Sequence, residues 1–235
     1  NIIWATIMFF LANFYTDVFG LPAAVAGTMF LIVKLFDAAN DPIMGMIADR
    51  TRSRWGKFRP YLLFASVPYA VAGILMFITP HFGLTGKIIY AYITYTLMMV
   101  IYTVMMIPYA ALGGVMTSDP IDRTSLQSFR FVGAFAGNLI IQALTIKLVN
   151  YFGAGNDARG YQITMAIFAA MCIFFFYITF SGTRERVQPD PLTKTSVKHD
   201  LRDLLSNRPW IIVAAVRFVM LIYIGIRSAV IVYYF

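Results

Sequence analysis

Apolar residues run along this chain in long blocks separated by short polar breaks. Windows of about twenty residues place those blocks at 1–16, 23–49, 60–80, 87–113, 125–150, 161–181 and 209–235. The pattern predicts an all-α membrane protein with seven crossings. The first and last are incomplete, since Asn1 already lies in apolar sequence without a flanking charge and the chain stops at "VIVYYF" without an interfacial anchor. A piece of a longer protein is therefore expected, with no basic leader or cleavage site readable at its start.

The longest polar break, 182–208, contains Pro189 and Pro191 and separates six spans from the seventh. It reads as an interdomain linker. Within "SVKHDLRDLLSNRP", Val197, Leu201, Leu204 and Leu205 recur at helical spacing opposite charged positions, which predicts a short amphipathic helix. The expected domains are a transmembrane bundle at 1–181, the linker at 182–208 and a seventh helix at 209–235 that opens a second half. This is the layout of a two-halved transporter, whose halves are commonly built from three-helix repeats of inverted topology.

Composition sharpens the class. Hydrophobic residues make up 60% of the chain and charged residues 13%, where a soluble domain carries about 25% charged. Basic residues gather on alternate breaks: Arg50, Arg52, Arg54, Lys57 and Arg59; then Arg123; then Arg184, Arg186, Lys194, Lys198, Arg202 and Arg208. The opposite breaks carry Lys87 and Arg159. By the positive-inside rule, loop 50–59 and the linker are expected to be cytoplasmic, in a multi-pass protein of the cell (inner) membrane. The net charge of +8 is then explained by topology and anionic lipid, and no nucleic-acid partner is required. Cys172 stands alone in an apolar span and reads as a small core residue.

Against this background two acids are out of place. Asp37 and Asp41 lie inside the second apolar block, where a carboxylate costs on the order of 2.5–3.5 kcal/mol on insertion scales. A spacing of four puts both on one helix face, and Lys34, three residues before Asp37, lies near that face. The stripe is buried, charged and suited to a cation. The competing reading is structural, with the acids paired to Lys34 and Arg130 to hold helices together.

Longer motifs bear on the choice. The run "FDAANDPIMGMIADRTRSRWGKFRP" at 36–60 strongly resembles the second helix and following loop of the glycoside–pentoside–hexuronide:cation symporters, the melibiose permease family of the major facilitator superfamily. Further matches are "FYTDVFGLPAAVAGTMFL" at 14–31, "YTVMMIPYAALGG" at 102–114, "DRTSLQSFRF" at 122–131 and "LVNYFG" at 148–153. The resemblance implies an amino-terminal six-helix bundle of that superfamily plus linker and part of the seventh helix. It also implies secondary active transport of a sugar coupled to sodium, lithium or a proton, with no cofactor, no enzymatic chemistry and a monomer as the functional unit.

Residue by residue, the resemblance implies a cation site at Asp37, Asn40, Asp41 and Thr103, with Asp37 and Asp41 as sodium ligands if sodium is the ion. Hard monovalent cations prefer such oxygens. It implies sugar contacts from Arg130, whose fork of donors suits two hydroxyls or a carboxylate, and from Tyr102, with Lys34 beside them. Three positions depart from the pattern: Asn1 and Met106 stand where the family has aspartates, and Ala110 where it has a tryptophan. A more neutral pocket without an aromatic platform is expected, one that admits an anionic sugar. The segment "GMIADRTRSRWGKFR" resembles the superfamily's gating loop, with Gly45, Asp49, Arg50, Arg54, Gly56 and Lys57 in place, and Asp122 and Arg123 are candidate partners for it.

Other classes fit less well. An uncoupled facilitator or lipid carrier would not need the acidic cluster, and nothing suggests the signalling output of a receptor. An intramembrane aspartyl protease needs two acids facing each other from separate helices, whereas these lie on one.

Overall fold

The computed structural model describes residues 2–187 and 206–231. The chain divides into two units, Asn1–Gln188 and Pro189–Phe235. The first holds α1 (Ile2–Asn13), a π-helical turn at Phe14–Val18, α2 (Ala23–Arg50), α3 (Arg59–Met76), α4 (Leu84–Val115), α5 (Pro120–Gly153) and α6 (Asp157–Gly182); in the second, α7 spans Arg208–Ile231. The described residues contain no strand. Helices α2 to α6 are each long and apolar enough to span a membrane, and Ile2–Val18 is a shorter apolar segment. The expected amphipathic helix lies mostly outside the described residues, as does Asn1.

Polar residues at the breaks set the helix ends. Asp119 accepts a hydrogen bond from the Ile121 amide at 2.7 Å and is followed by Pro120, so α5 begins with a side-chain cap and an N1 proline. Asn156 caps α6 through the Arg159 amide at 3.1 Å. Contacts run from α2 to α4, α3, α6, α5 and α1, and the π-turn after α1 returns to α2. The first unit is thus a closed ring of helices around one apolar core. Small residues let them approach: a Cβ at Gly160 of α6 would fall on the Val149 carbonyl of α5.

The core has an aromatic end and a mixed middle. Phe14, Phe77 and Tyr161 pack with centroids 4.8–5.7 Å apart. Deeper in, Thr103 of α4 and Asp37 of α2 are buried among methionines such as Met29, Met99 and Met105. The α2–α4 contact therefore carries the buried carboxylate.

Candidate functional site

Prolines shape both walls of this contact. Pro42 of α2 and Pro108 of α4 sit inside their helices; lacking an amide N–H, each leaves the carbonyl four residues back without its helical donor. Those carbonyls belong to Ala38, next to Asp37, and Val104, next to Thr103. Oxygen-rich backbone thus accompanies the polar side chains.

The Thr103 hydroxyl lies 2.7 Å from Asp37 Oδ1 and 3.1 Å from Asp41 Oδ1. Threonines elsewhere in the helices, among them Thr6, Thr28 and Thr145, turn back to the carbonyl four residues earlier. Thr103 reaches across to the neighbouring helix instead. A hydroxyl has one proton, so it donates to one carboxylate at a time and faces the other lone pair to lone pair. A proton or cation would relieve that convergence. Lys34 Nζ approaches Asp37 Oδ2 at 3.5 Å, with side chains 48% and 12% exposed. Two carboxylates and one ammonium leave one negative charge uncompensated. Asn40, one residue before Asp41, is half-buried; no hydrogen bond from its side chain occurs among the described residues. No group of three or more His, Cys, Asp or Glu converges among the described residues, and the side-chain oxygens that meet here are two carboxylates and a hydroxyl.

Beside the acids lies an aromatic pair. Trp4 of α1 stacks on Tyr102, centroids 4.1 Å apart and planes 14° from parallel, and the Lys34 ammonium is 5.0 Å from the Trp4 centroid. The missing tryptophan at Ala110 is thus accompanied by a ring from another helix. Ala110 is exposed and supplies none, Met106 packs half-buried against the core, and Trp4 brings a flat ring from another helix. Trp4 escaped the sequence reading, because its partner Tyr102 is distant in sequence. Arg130 also differs from its structural reading. Its guanidinium lies over Tyr109, 4.6 Å from the centroid, and 3.5 Å from Gln127 Oε1. No ion pair joins it to Asp37 or Asp41 among the described residues, and the ammonium beside Asp37 is that of Lys34.

The loop after α2 is organised around an acid that the sequence reading missed. Glu185, just past α6, accepts hydrogen bonds from the amides of Lys57 (2.7 Å), Phe58 (2.7 Å) and Arg59 (2.9 Å). These are orphan donors at the start of α3, where an anion is favoured. Gly56 makes room: its φ is +108°, and a Cβ there would lie 2.5 Å from the carboxylate. Arg59 reaches the Phe180 carbonyl at 2.5 Å, and the Arg186 and Val187 amides bond the Val115 carbonyl at 2.9 and 3.0 Å. The ends of α3, α4 and α6 are tied together. Glu185 is the only glutamate in the sequence, a signal hidden by its position between Arg184 and Arg186.

Other residues of the loop divide. Asp49 pairs with Lys57 at 2.9 Å on the surface, Asp49 being 70% exposed. Arg50 is exposed, Arg54 stacks on Trp55 at 4.2 Å, and Gly45 meets nothing that a Cβ would disturb. Asp122 and Arg123 are not partners of this loop here, which corrects that expectation. Arg123 Nε donates to the Thr117 carbonyl at 2.8 Å and Asp122 accepts from Thr117 at 3.4 Å, so both are spent on the α4–α5 turn.

Comparison with known proteins now has a site to explain. A family model described as "MFS/sugar transport protein" matches residues 1–235. The chain belongs to this family, in its glycoside–pentoside–hexuronide symporter branch. It is 45% identical over 234 residues to the inner membrane symporter YicJ of Escherichia coli (strain K12), covering 100% of the chain and 51% of that protein. It is 44% identical over 213 residues to the putative glycoside/cation symporter YagG of the same organism, covering 91% and 46%. To the isoprimeverose transporter of Lactiplantibacillus pentosus it is 37% identical over 238 residues, covering 100% and 50%. The chain spans about half the length of these relatives. Its family and its long apolar helices make it a multi-pass membrane protein.

Proposed function

We propose that this half carries the cation site of a symporter that moves a sugar or glycoside with one monovalent cation, sodium, lithium or a proton, by alternating access. The observation that carries the reading is the single Thr103 hydroxyl set between two carboxylates. With Lys34 resident, the cluster is one charge short of neutral, so a monovalent cation completes it and a divalent one overshoots. Asp37, Asp41, Thr103 and Asn40 supply hard oxygen ligands. Arg130 and the Trp4–Tyr102 pair are the sugar-facing groups. Stacking on an aromatic face and a guanidinium free of ion pairs suit a glycoside, including one with a carboxylate. The carrier sits in the inner membrane with loop 50–59 and the linker on the cytoplasmic side, and works as a monomer.

The test is binding of a panel of glycosides, pentosides and hexuronides to the purified full-length carrier, with and without sodium at fixed pH and ionic strength. Sodium-enhanced binding that disappears in Asp41→Cys and is weakened but measurable in Thr103→Ala is expected. Binding indifferent to sodium and to pH, with both variants fully active, would make the carrier an uncoupled facilitator.

A further inference from the structure

Outside this site, a groove of about 500 Å³ lies where α3 meets α4 beside the end of α2. Its walls are Pro60, Phe64, Ala65 and Pro68 of α3 with Ile101 and Val104 of α4. Phe64 is 61% exposed. The polar groups at its rim, Thr51 and Tyr61, are hydrogen-bonded to each other and cluster at one end, beside the basic loop. From Pro60 to Pro68 the groove follows about 12 Å of helix, nearly the hydrocarbon depth of one leaflet, about 15 Å. Its polar end lies beside the basic loop and its apolar end toward Pro68, inside α3.

The basic loop meets the groove through stacked rings. Arg54 lies over Trp55, 4.2 Å from the centroid, and Trp55 packs on Phe64 with centroids 5.8 Å apart. The guanidinium is thus held above the groove wall. Among the described residues it has no acid partner: Asp49 is taken by Lys57, and Glu185 by the amides of α3. Arg50 and Arg52 add two further exposed cations without acids among the described residues. We infer that the groove is a binding site for an anionic glycerophospholipid of the cytoplasmic leaflet, one acyl chain along α3 and α4 and the phosphate on Arg54. The inference rests on the orientation proposed above and is independent of the transported substrate. Guanidinium binds phosphate bidentately, and the surplus of cations selects an anionic headgroup over a zwitterionic one.

Native mass spectrometry of the full-length carrier, titrated with phosphatidylglycerol or with phosphatidylcholine of identical acyl chains, tests this. The expected result is tighter retention of phosphatidylglycerol by about fivefold, lost in Arg54→Gln and partly kept in Arg54→Lys. Filling the groove with Ala65→Phe should lower retention of both lipids. Equal retention of the two lipids, or a preference unchanged by Arg54→Gln, would overturn the site. Because Arg54 is exposed, its variants decide the matter even if Ala65→Phe fails to fold.

Discussion

Trp4 and Lys34 are the residues whose substitution separates the two halves of the site. Trp4 gives Tyr102 a stacking partner at 4.1 Å, and such pairs are worth about 0.5–1.5 kcal/mol beyond the area they bury. Trp4→Leu should therefore weaken sugar binding by roughly two- to tenfold while leaving the carboxylates and Thr103 untouched. Isothermal titration with sugar at saturating sodium, and with sodium alone, would read the two effects separately. Loss of sodium affinity of the same size would mean that Trp4 supports the whole bundle instead. Lys34→Met moves the other way. Removing the ammonium that sits 3.5 Å from Asp37 leaves two uncompensated carboxylates, and a cation then binds without displacing a tethered competitor. The apparent dissociation constant for sodium should fall, because the acids then face a cation without a fixed positive charge beside them. An unchanged constant would show that Lys34 is solvated in the working carrier, as its 48% exposure permits.

At the scale of elements, the attachment of the α2–α3 loop is the feature to test. Gly56 has a left-handed φ of +108°, and a Cβ would press into Glu185; Gly56→Ala combines strain and collision, at about 1–3 kcal/mol. Glu185→Ala removes three charge-assisted bonds from amides that water can partly resatisfy, at about the same cost. The double variant should lose less than the sum of the two single ones, since Glu185→Ala removes the collision and leaves only the backbone strain of Gly56→Ala to add. Thermal unfolding of the full-length carrier in detergent measures this, and additive losses would dissociate the two residues. The helices themselves were legible as apolar blocks, because in lipid every backbone group must be bonded within its own segment. Asp37, Asn40, Asp41 and Thr103 were legible as motif, and the structure brings three of them, Asp37, Asp41 and Thr103, into contact. Trp4 and Glu185 were not, since each acts through a partner distant in sequence, Glu185 through amides more than a hundred residues away. Asp122 and Arg123 failed for the converse reason: a local turn offered them bonds before any distant loop could.

For the whole molecule, the symport proposed above requires an equilibrium coupling between cation and sugar, and the contacts at the site suggest a route for it. Asp37 holds Lys34, Lys34 lies by Trp4, and Trp4 stacks on Tyr102, whose neighbour Thr103 returns to Asp37. These contacts form a closed circuit through α1, α2 and α4. A cation between the acids would loosen Lys34 from Asp37 and alter what the ammonium and the rings present to a sugar. The expectation is positive cooperativity, and thermodynamics requires that sodium raise sugar affinity by the same factor as sugar raises sodium affinity. Titrating each ligand at several fixed levels of the other gives both factors. Trp4→Leu cuts the circuit without touching a cation ligand, so it should bring the coupling factor toward one while each ligand still binds. Thr103→Ala should reduce sodium affinity and coupling together. A coupling factor that survives Trp4→Leu intact would place the communication elsewhere, in the rocking of the two halves around the site.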